Sequence, residues 1–287
     1  MNTTNTIIPM KPESMNNWNP TPAAWKRQFD ETGYLVVPEA IDADTLAQLQ
    51  NEMERLETAF KADELSPRLR SFVHTERDRS AAFGLGGSDS DSGEISVVME
   101  LPLFAPAFAE LIGYPRVLDV LETLFDSSEF SFHNYKAVCK MPGNATPFQW
   151  HRDLPYLHHT GPNLITCMLC LDPMTPENGA TVICPGSHLN APPEPLPGDT
   201  NMAEDAVPTQ RTTVECPAGS AVLFHVNVVH GGGPNLSRTK RRNVIGIWAG
   251  PNTLPTTPAR YAYEFLKPRS ADPLHQRQME MTFGATT

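Results

Sequence analysis

Ala221-Val222-Leu223-Phe224-His225-Val226-Asn227-Val228-Val229-His230-Gly231-Gly232-Gly233 is the stretch on which the fold reading turns. Its β-branched and aromatic residues favour strands over helix, and it reads as two short strands, Ala221–His225 and Val226–His230, closed by a glycine turn. Similar runs occur on either side of it. Ser131–Lys140, Phe148–Asp153, Leu164–Asp172, Ala180–Cys184 and Arg242–Ala249 are all short, rich in Val, Ile, Thr, Phe and Cys, and punctuated by Pro and Gly. Several such strands in succession predict a sandwich or jelly roll. Residues Leu189–Arg211, with many prolines, read as a long excursion between strands, and no internal repeat is visible.

The first half of the chain has a different texture. Thr21-Pro22 is an N-cap followed by proline at the first helical position, which predicts a helix over Ala23–Glu31 with Gly33 at its C-terminal cap. Tyr34–Val37 reads as a short buried strand. Asp42 can cap a second helix whose Leu46, Leu49, Met53, Leu56 and Phe60 line one stripe. A third helix is expected from Pro115 to Leu124, with Val117, Leu118, Leu121 and Leu124 inward. Met1–Pro20 is polar and rich in Asn and Pro, so it is expected to be a flexible arm ahead of a single domain spanning 21–287. Asp78–Gly93, rich in Gly, Ser and Asp, is expected to be a long surface loop, with a lid as one reading. Helical potential in the tail is concentrated at Ala259–Leu266.

Composition narrows the function. The 287 residues carry 22 basic against 33 acidic side chains, a formal net charge of −11. An acidic surface argues against nucleic acid and anionic membranes as partners, and mildly against a polyanionic substrate unless a local basic patch compensates. Arg238, Lys240, Arg241 and Arg242 form the one dense basic cluster. Five cysteines suggest no disulfide framework, and neither a secretory signal nor a membrane-length apolar run is visible, so a cytoplasmic location is expected. The expected partner is a small-molecule substrate. Oligomeric state is open, with a homodimer as one option.

His151-Arg152-Asp153 and His230 carry the chemistry. Residues i and i+2 of a strand share a face, so His151 and Asp153 are expected to point to one ion, with His230 arriving from another strand. Two imidazoles and one carboxylate are the donor set with which a non-haem Fe(II) oxygenase holds iron while leaving coordination positions open. Taken alone, His-x-Asp occurs by chance in many proteins. Its flanking Trp150 and Phe148, and the glycine turn after His230, raise its weight. Cys167 and Cys170 have metal-like spacing, but in a strand they face opposite sides, and a structural role is expected. His188 lies in a turn and is read as structural. His225 is an odd number of positions from His230 and is not expected to share the ion.

These segments together resemble the phytanoyl-CoA dioxygenase-like family of Fe(II)/2-oxoglutarate oxygenases. The likeness is carried by Phe29–Pro38, by Gln149–Asp153, by Pro176–His188 and by His230–Ser237 through Arg242. It implies a mainly β fold, a double-stranded β-helix (jelly roll) with helices packed outside. It also implies Fe(II) held by His151, Asp153 and His230, with 2-oxoglutarate and O2 as co-substrates. The residue eleven positions after the distal histidine grips the far carboxylate of 2-oxoglutarate in this family, which gives Arg241 here, with its neighbour Arg242 second. Lys136 and Gln149 are further candidate co-substrate contacts. The position two after the distal histidine can be a serine that helps hold the co-substrate, but here it is Gly232. Halogenating relatives replace the iron-binding carboxylate, so Asp153 implies no halogenation.

The expected reaction is hydroxylation, or another oxidation, of an unactivated C–H in a small and largely apolar metabolite. A natural-product tailoring step is the first reading, and an acyl-CoA or amino-acid-derivative hydroxylase the second. Phe148, Tyr156, Leu157 and Trp248 are expected at the pocket rim. A non-redox metal-dependent jelly-roll enzyme and a scaffold-only binding protein are the rivals from other classes. A four-residue set comprising the triad and Arg241 argues against both, because neither needs a grip for a dicarboxylate.

Overall fold

Thr21 opens the first helix, α1 (Pro22–Thr32), by accepting from the Ala24 amide, and Gly33 closes it at φ 78°. β1 (Tyr34–Val37) follows directly, as expected. Asp42 caps α2 (Ala43–Lys61) through the Thr45 amide at 2.7 Å, and Leu49, Met53 and Leu56 bury the predicted stripe. The computed structural model describes residues 21–83, 93–143, 146–192, 194–196 and 199–283. The expected N-terminal arm and residues 84–92 of the expected loop lie outside them.

The chain continues through α3 (Pro67–Arg70), β2 (Val73–Thr75), α4 (Glu76–Phe83), β3 (Ile95–Val98), α5 (Pro106–Glu110) and α6 (Pro115–Phe125). The strand-rich half then supplies β4 (Ser131–Lys140), β5 (Phe148–His151), β6 (Leu164–Cys170), β7 (Thr181–Ile183), β8 (Thr212–Thr213), β9 (Ala221–His225), β10 (His230–Gly232) and β11 (Arg241–Ala249), before α7 (Pro273–Phe283).

The strands form two antiparallel sheets, a large one ordered β1-β9-β6-β11-β4-β3-β2 and a smaller one ordered β5-β10-β7-β8. This is the expected jelly roll with flanking helices. Alternation along β6 shows how the layers are specified. Ile165, Cys167 and Leu169 join the core beneath the helices, while Met168 and Cys170 join the cluster between the sheets. A strand covered on both faces reads as a near-continuous apolar run, and Leu164–Cys170 is buried throughout. Cys167 and Cys170 therefore do face opposite ways. All five cysteines are free and buried, with Cys170 Sγ 3.6 Å from Cys216 Sγ.

Several expectations are corrected. Val226–Val229 is not a strand but a turn between β9 and β10. β5 ends at His151, and Asp153 has helical backbone angles (φ −79°, ψ −27°), so it does not lie in an extended strand. Asp78–Phe83 belongs to α4 and not to a loop. Ala259–Leu266 forms turns, with Phe265 at φ 64°, because the segment pairs its backbone with Phe132 and buries Tyr263 and Leu266. The tail helix comes later, at α7. Trp248 is not at a rim. It lies an odd number of positions from Arg241, so strand alternation turns it to the helix side, where it is fully buried against Phe130 and Phe132.

Burial also sets the acid sensitivity of the fold. Burial pushes His133, His159, His225 and His230 down to about 4. An unfolded chain binds those protons from about pH 6.5 downward, whereas the folded chain resists until about pH 4. Stability is therefore fully present above pH 6.5 and falls as pH drops through that window. Thermal melts of metal-free protein between pH 7 and pH 4 should show this loss.

Candidate metal centre and co-substrate cavity

His230 on β10 is the direct cross-strand partner of His151 on β5, which brings the two rings to 4.2 Å between centroids. Asp153 arrives from the turn after β5, held there by hydrogen bonds from its own amide (2.8 Å) and that of Leu154 to the Val226 carbonyl. The turn at Val226–Val229 thus positions two of the three residues. It fixes Asp153 through Val226, and its Val228 carbonyl contacts His230 Nδ1 at 3.0 Å. His151 Nδ1 makes the matching contact with the Gln149 carbonyl at 2.7 Å. Each carbonyl can only accept, so each ring carries its proton on Nδ1 and presents a lone pair at Nε2.

Those Nε2 atoms converge on Asp153 Oδ1, at 3.6 Å from His151 and 3.8 Å from His230. Among the described residues this is the one cluster of three metal-capable side chains, with donor atoms within 4.8 Å of one another. Donors bound about 2.1 Å from one ion stand about 3 Å apart at a right angle and at most about 4.2 Å apart, and the 3.6 Å and 3.8 Å separations from Asp153 Oδ1 fall in that range. Burial pushes the Asp153 carboxyl up, but His230, the His151 contact and Lys136 outweigh it and hold the group well below the usual carboxylate range. Asp153 is therefore an anion, and His230 is neutral at physiological pH. Both are in the state a metal needs.

Thr166 on β6 donates to Asp153 Oδ2 at 2.6 Å, leaving Oδ1 for the ion. Nothing in the sequence marked Thr166, because only the β6–β9 pairing brings it under the carboxylate. Thr166→Val should preserve the fold yet weaken Fe(II) binding about ten- to hundredfold, as loss of an orienting contact does, in equilibrium metal titrations. Arg152 clamps the surroundings. It donates to the carbonyls of Ser187 and Asn227, and Asp199 lies 3.4 Å from its Nε.

The cavity beside the triad runs between the sheets. Its large-sheet wall carries Lys136, Val138 and Lys140 from β4 and Arg241, Asn243 and Ile245 from β11. The two strands pair Arg241 with Lys140, Asn243 with Val138 and Ile245 with Lys136, so alternate residues from both point inward together. Arg241 is 3% exposed, and burial lowers its guanidinium to about 10. Among the described residues no carboxylate bonds it. Nε has no partner, and Nη1 lies 3.7 Å from Met174 Sδ. Turning over the Asn243 amide lets its oxygen accept from Nη1 at 3.3 Å. Arg242 points the other way and is satisfied by Asp172 (2.9 Å and 3.0 Å) and Glu54 (2.7 Å), tying β11 to α2.

The other candidates divide. Lys136 lines the cavity, but Gln149 does not. Between His230/Gly232 and Phe148/His151 the register is irregular, with two steps on β10 matching three on β5. Such a bulge reverses the alternation and places Phe148 on the cavity instead. Tyr156 is exposed, its ring 6.1 Å from that of His151, while Leu157 packs beside Leu154. His188 faces the Asp30 carbonyl and His225, away from the triad. Lys140, 1% exposed on the cavity wall, was not singled out in the sequence.

Comparison with known proteins agrees with this geometry. Residues 29–243 match the family described as phytanoyl-CoA dioxygenase (PhyH). A protein of Stutzerimonas stutzeri named "Probable alpha-ketoglutarate-dependent hypophosphite dioxygenase" is 28% identical over 221 residues, 70% of this chain and 76% of that one. An ectoine dioxygenase of the same species is 25% identical over 256 residues, 80% of this chain and 77% of that one. The crystal structure of AviO1 from Streptomyces viridochromogenes shares the fold at a TM-score of 0.66 and 24% identity, covering 84% of this chain and 100% of that one. With the match spanning most of its length and the expected donor set assembled, this chain belongs to the phytanoyl-CoA dioxygenase family of Fe(II)/2-oxoglutarate-dependent oxygenases.

Proposed function

We propose that the protein couples oxidation of 2-oxoglutarate to hydroxylation of an unactivated C–H in a small metabolite, as a natural-product tailoring step. His151, Asp153 and His230 would hold Fe(II), and Arg241 would grip the far carboxylate of 2-oxoglutarate. Bound iron, with 2-oxoglutarate and dioxygen, supplies oxidative decarboxylation to succinate and CO2 and the oxidising power for the C–H bond. The chain's own residues bind, orient and exclude water. Nδ1–H contacts to Gln149 and Val228 hold both imidazoles in one tautomer. Thr166 orients the carboxylate. Lys136, on the wall carrying Val138 and Ile245, offers an ammonium to an anionic group of the co-substrate near the triad. Apolar Phe148, Phe224, Val138 and Ile245 suit a largely apolar substrate and keep water from the reacting centre.

The single observation carrying this reading is the buried Arg241 guanidinium, which faces the triad's cavity with no acidic partner. An unpaired buried cation is costly, and a carboxylate delivered by a ligand repays that cost with charge-assisted bonds. A non-redox jelly-roll enzyme has no use for it. The test is succinate formation from 2-oxoglutarate with Fe(II) and O2, measured with and without candidate substrates. Absence of succinate from iron-loaded protein under all conditions would sink the proposal.

A further inference from the structure

We infer that Lys140 is the second cation at the far carboxylate of the co-substrate, lying where a side chain in place of Gly232 would crowd it. This rests on the co-substrate reading of Arg241 and extends it to a residue that neither sequence nor family resemblance singles out. Lys140 and Arg241 are direct partners on β4 and β11, and both line the cavity. Neither is more than 3% exposed. Lys140 Nζ donates to the Gly179 carbonyl at 2.8 Å and to the Gly233 carbonyl. An ammonium carries three protons, so one remains for a ligand.

The glycine turn explains the placement. A Cβ built on Gly232 would lie 3.1 Å from Lys140 Nζ and 3.3 Å from the Ala180 carbonyl oxygen. A side chain at 232 would crowd the Lys140 ammonium and push it a few tenths of an ångström from this position. The charge balance points the same way. Burial pushes the Lys140 ammonium well down, and the neighbouring Arg241 and Arg79 cations push it further, with Glu76 opposing. Glu76 is engaged elsewhere, accepting from the Thr146 amide at 2.7 Å. The Phe148 ring centroid lies 5.4 Å from Nζ and 3.8 Å from the Arg79 guanidinium carbon, so both cations lie against one aromatic ring. Two buried like charges side by side are unfavourable alone and become favourable around a shared anion. A cavity end of this kind should select a 2-oxo acid by its second carboxylate.

Equilibrium dialysis against Fe(II)-loaded protein without dioxygen tests this through binding alone. Wild-type protein should hold 2-oxoglutarate at least about tenfold more tightly than 2-oxoglutaramate, whose far end is an uncharged amide. Lys140→Met should weaken 2-oxoglutarate binding about tenfold and shrink that preference. Adding Gly232→Ser to Lys140→Met should recover much of the loss, because the serine hydroxyl enters the vacated space. Equal wild-type affinity for the acid and the amide would overturn the inference even if Lys140→Met does not fold. So would unchanged binding by Lys140→Met, or a double variant no better than the single one. If Arg241→Met also binds 2-oxoglutarate like wild type, the co-substrate reading itself fails. If only Lys140→Met does, Arg241 keeps its role and Lys140 loses its own.

Discussion

Asp153→Ala should leave a folded protein that neither retains iron nor releases succinate. Among the described residues Asp153 is the only carboxylate lining the cavity, against Lys136, Lys140 and Arg241. Removing it leaves two imidazoles facing Lys136, Lys140 and Arg241 with no anion between them, an environment that disfavours a divalent cation. The ring orientations survive, since both are held by backbone carbonyls and not by the carboxylate. Losing a contact that merely orients a ligand costs about ten- to hundredfold in affinity, and losing an anionic ligand costs more. A drop of roughly a thousandfold in iron affinity is expected, with turnover falling at least as far. Metal content after anaerobic reconstitution, succinate release and circular dichroism check the three parts. Stoichiometric iron in the Asp153→Ala protein would place the metal elsewhere.

Arg241→Met should move affinity and stability in opposite directions. A buried, bidentate charge pair lost from one side costs about 2–5 kcal/mol, so the KM for 2-oxoglutarate should rise about a hundredfold while iron binding persists. In the ligand-free protein the same guanidinium is buried with no carboxylate partner, and replacing such a charge by an apolar side chain of similar length stabilises by roughly 1–3 kcal/mol. Tm without ligand should therefore rise as co-substrate affinity falls, the trade expected of a functional site. Arg242→Met should do the reverse, lowering Tm by breaking its bonds to Asp172 and Glu54 and leaving KM unchanged. Were Arg242→Met to raise KM and Arg241→Met not, the strand register at β11 would be displaced by one residue.

The helices were legible where side chains act locally. Thr21, Gly33 and Asp42 cap their own chain neighbours, and the stripe of α2 needs only its own spacing. The candidate donors were legible for a chemical reason, since two histidines and an aspartate are side chains of the kind that hold Fe(II). How they assemble was not. Asp153 reaches its place through the Val226 carbonyl, across a turn that reads as strand because valines favour extended backbone wherever they occur. Gln149, a candidate co-substrate contact two residues from His151, is kept off the cavity by the irregular β5–β10 register, which reverses the alternation. Lys140 ends β4, and a lysine at a strand end ordinarily points to water. The net charge of −11 likewise described the surface and not the cationic cavity wall.

Sequence by itself determined what this protein carries: helical apolar spacings, a series of short strand-forming runs, three candidate metal donors, and an arginine at a set distance from the last of them. These follow from interactions between residues close in the chain, or from side-chain chemistry that needs no partner. Tertiary structure alone decided which way each group points and what it meets. A single irregular register step exchanges the two faces of a strand, and the pairing of β4 with β11 sets Lys140 against Arg241 from a hundred residues away. Register is set by the packing of whole sheets, so no local stretch of sequence contains it.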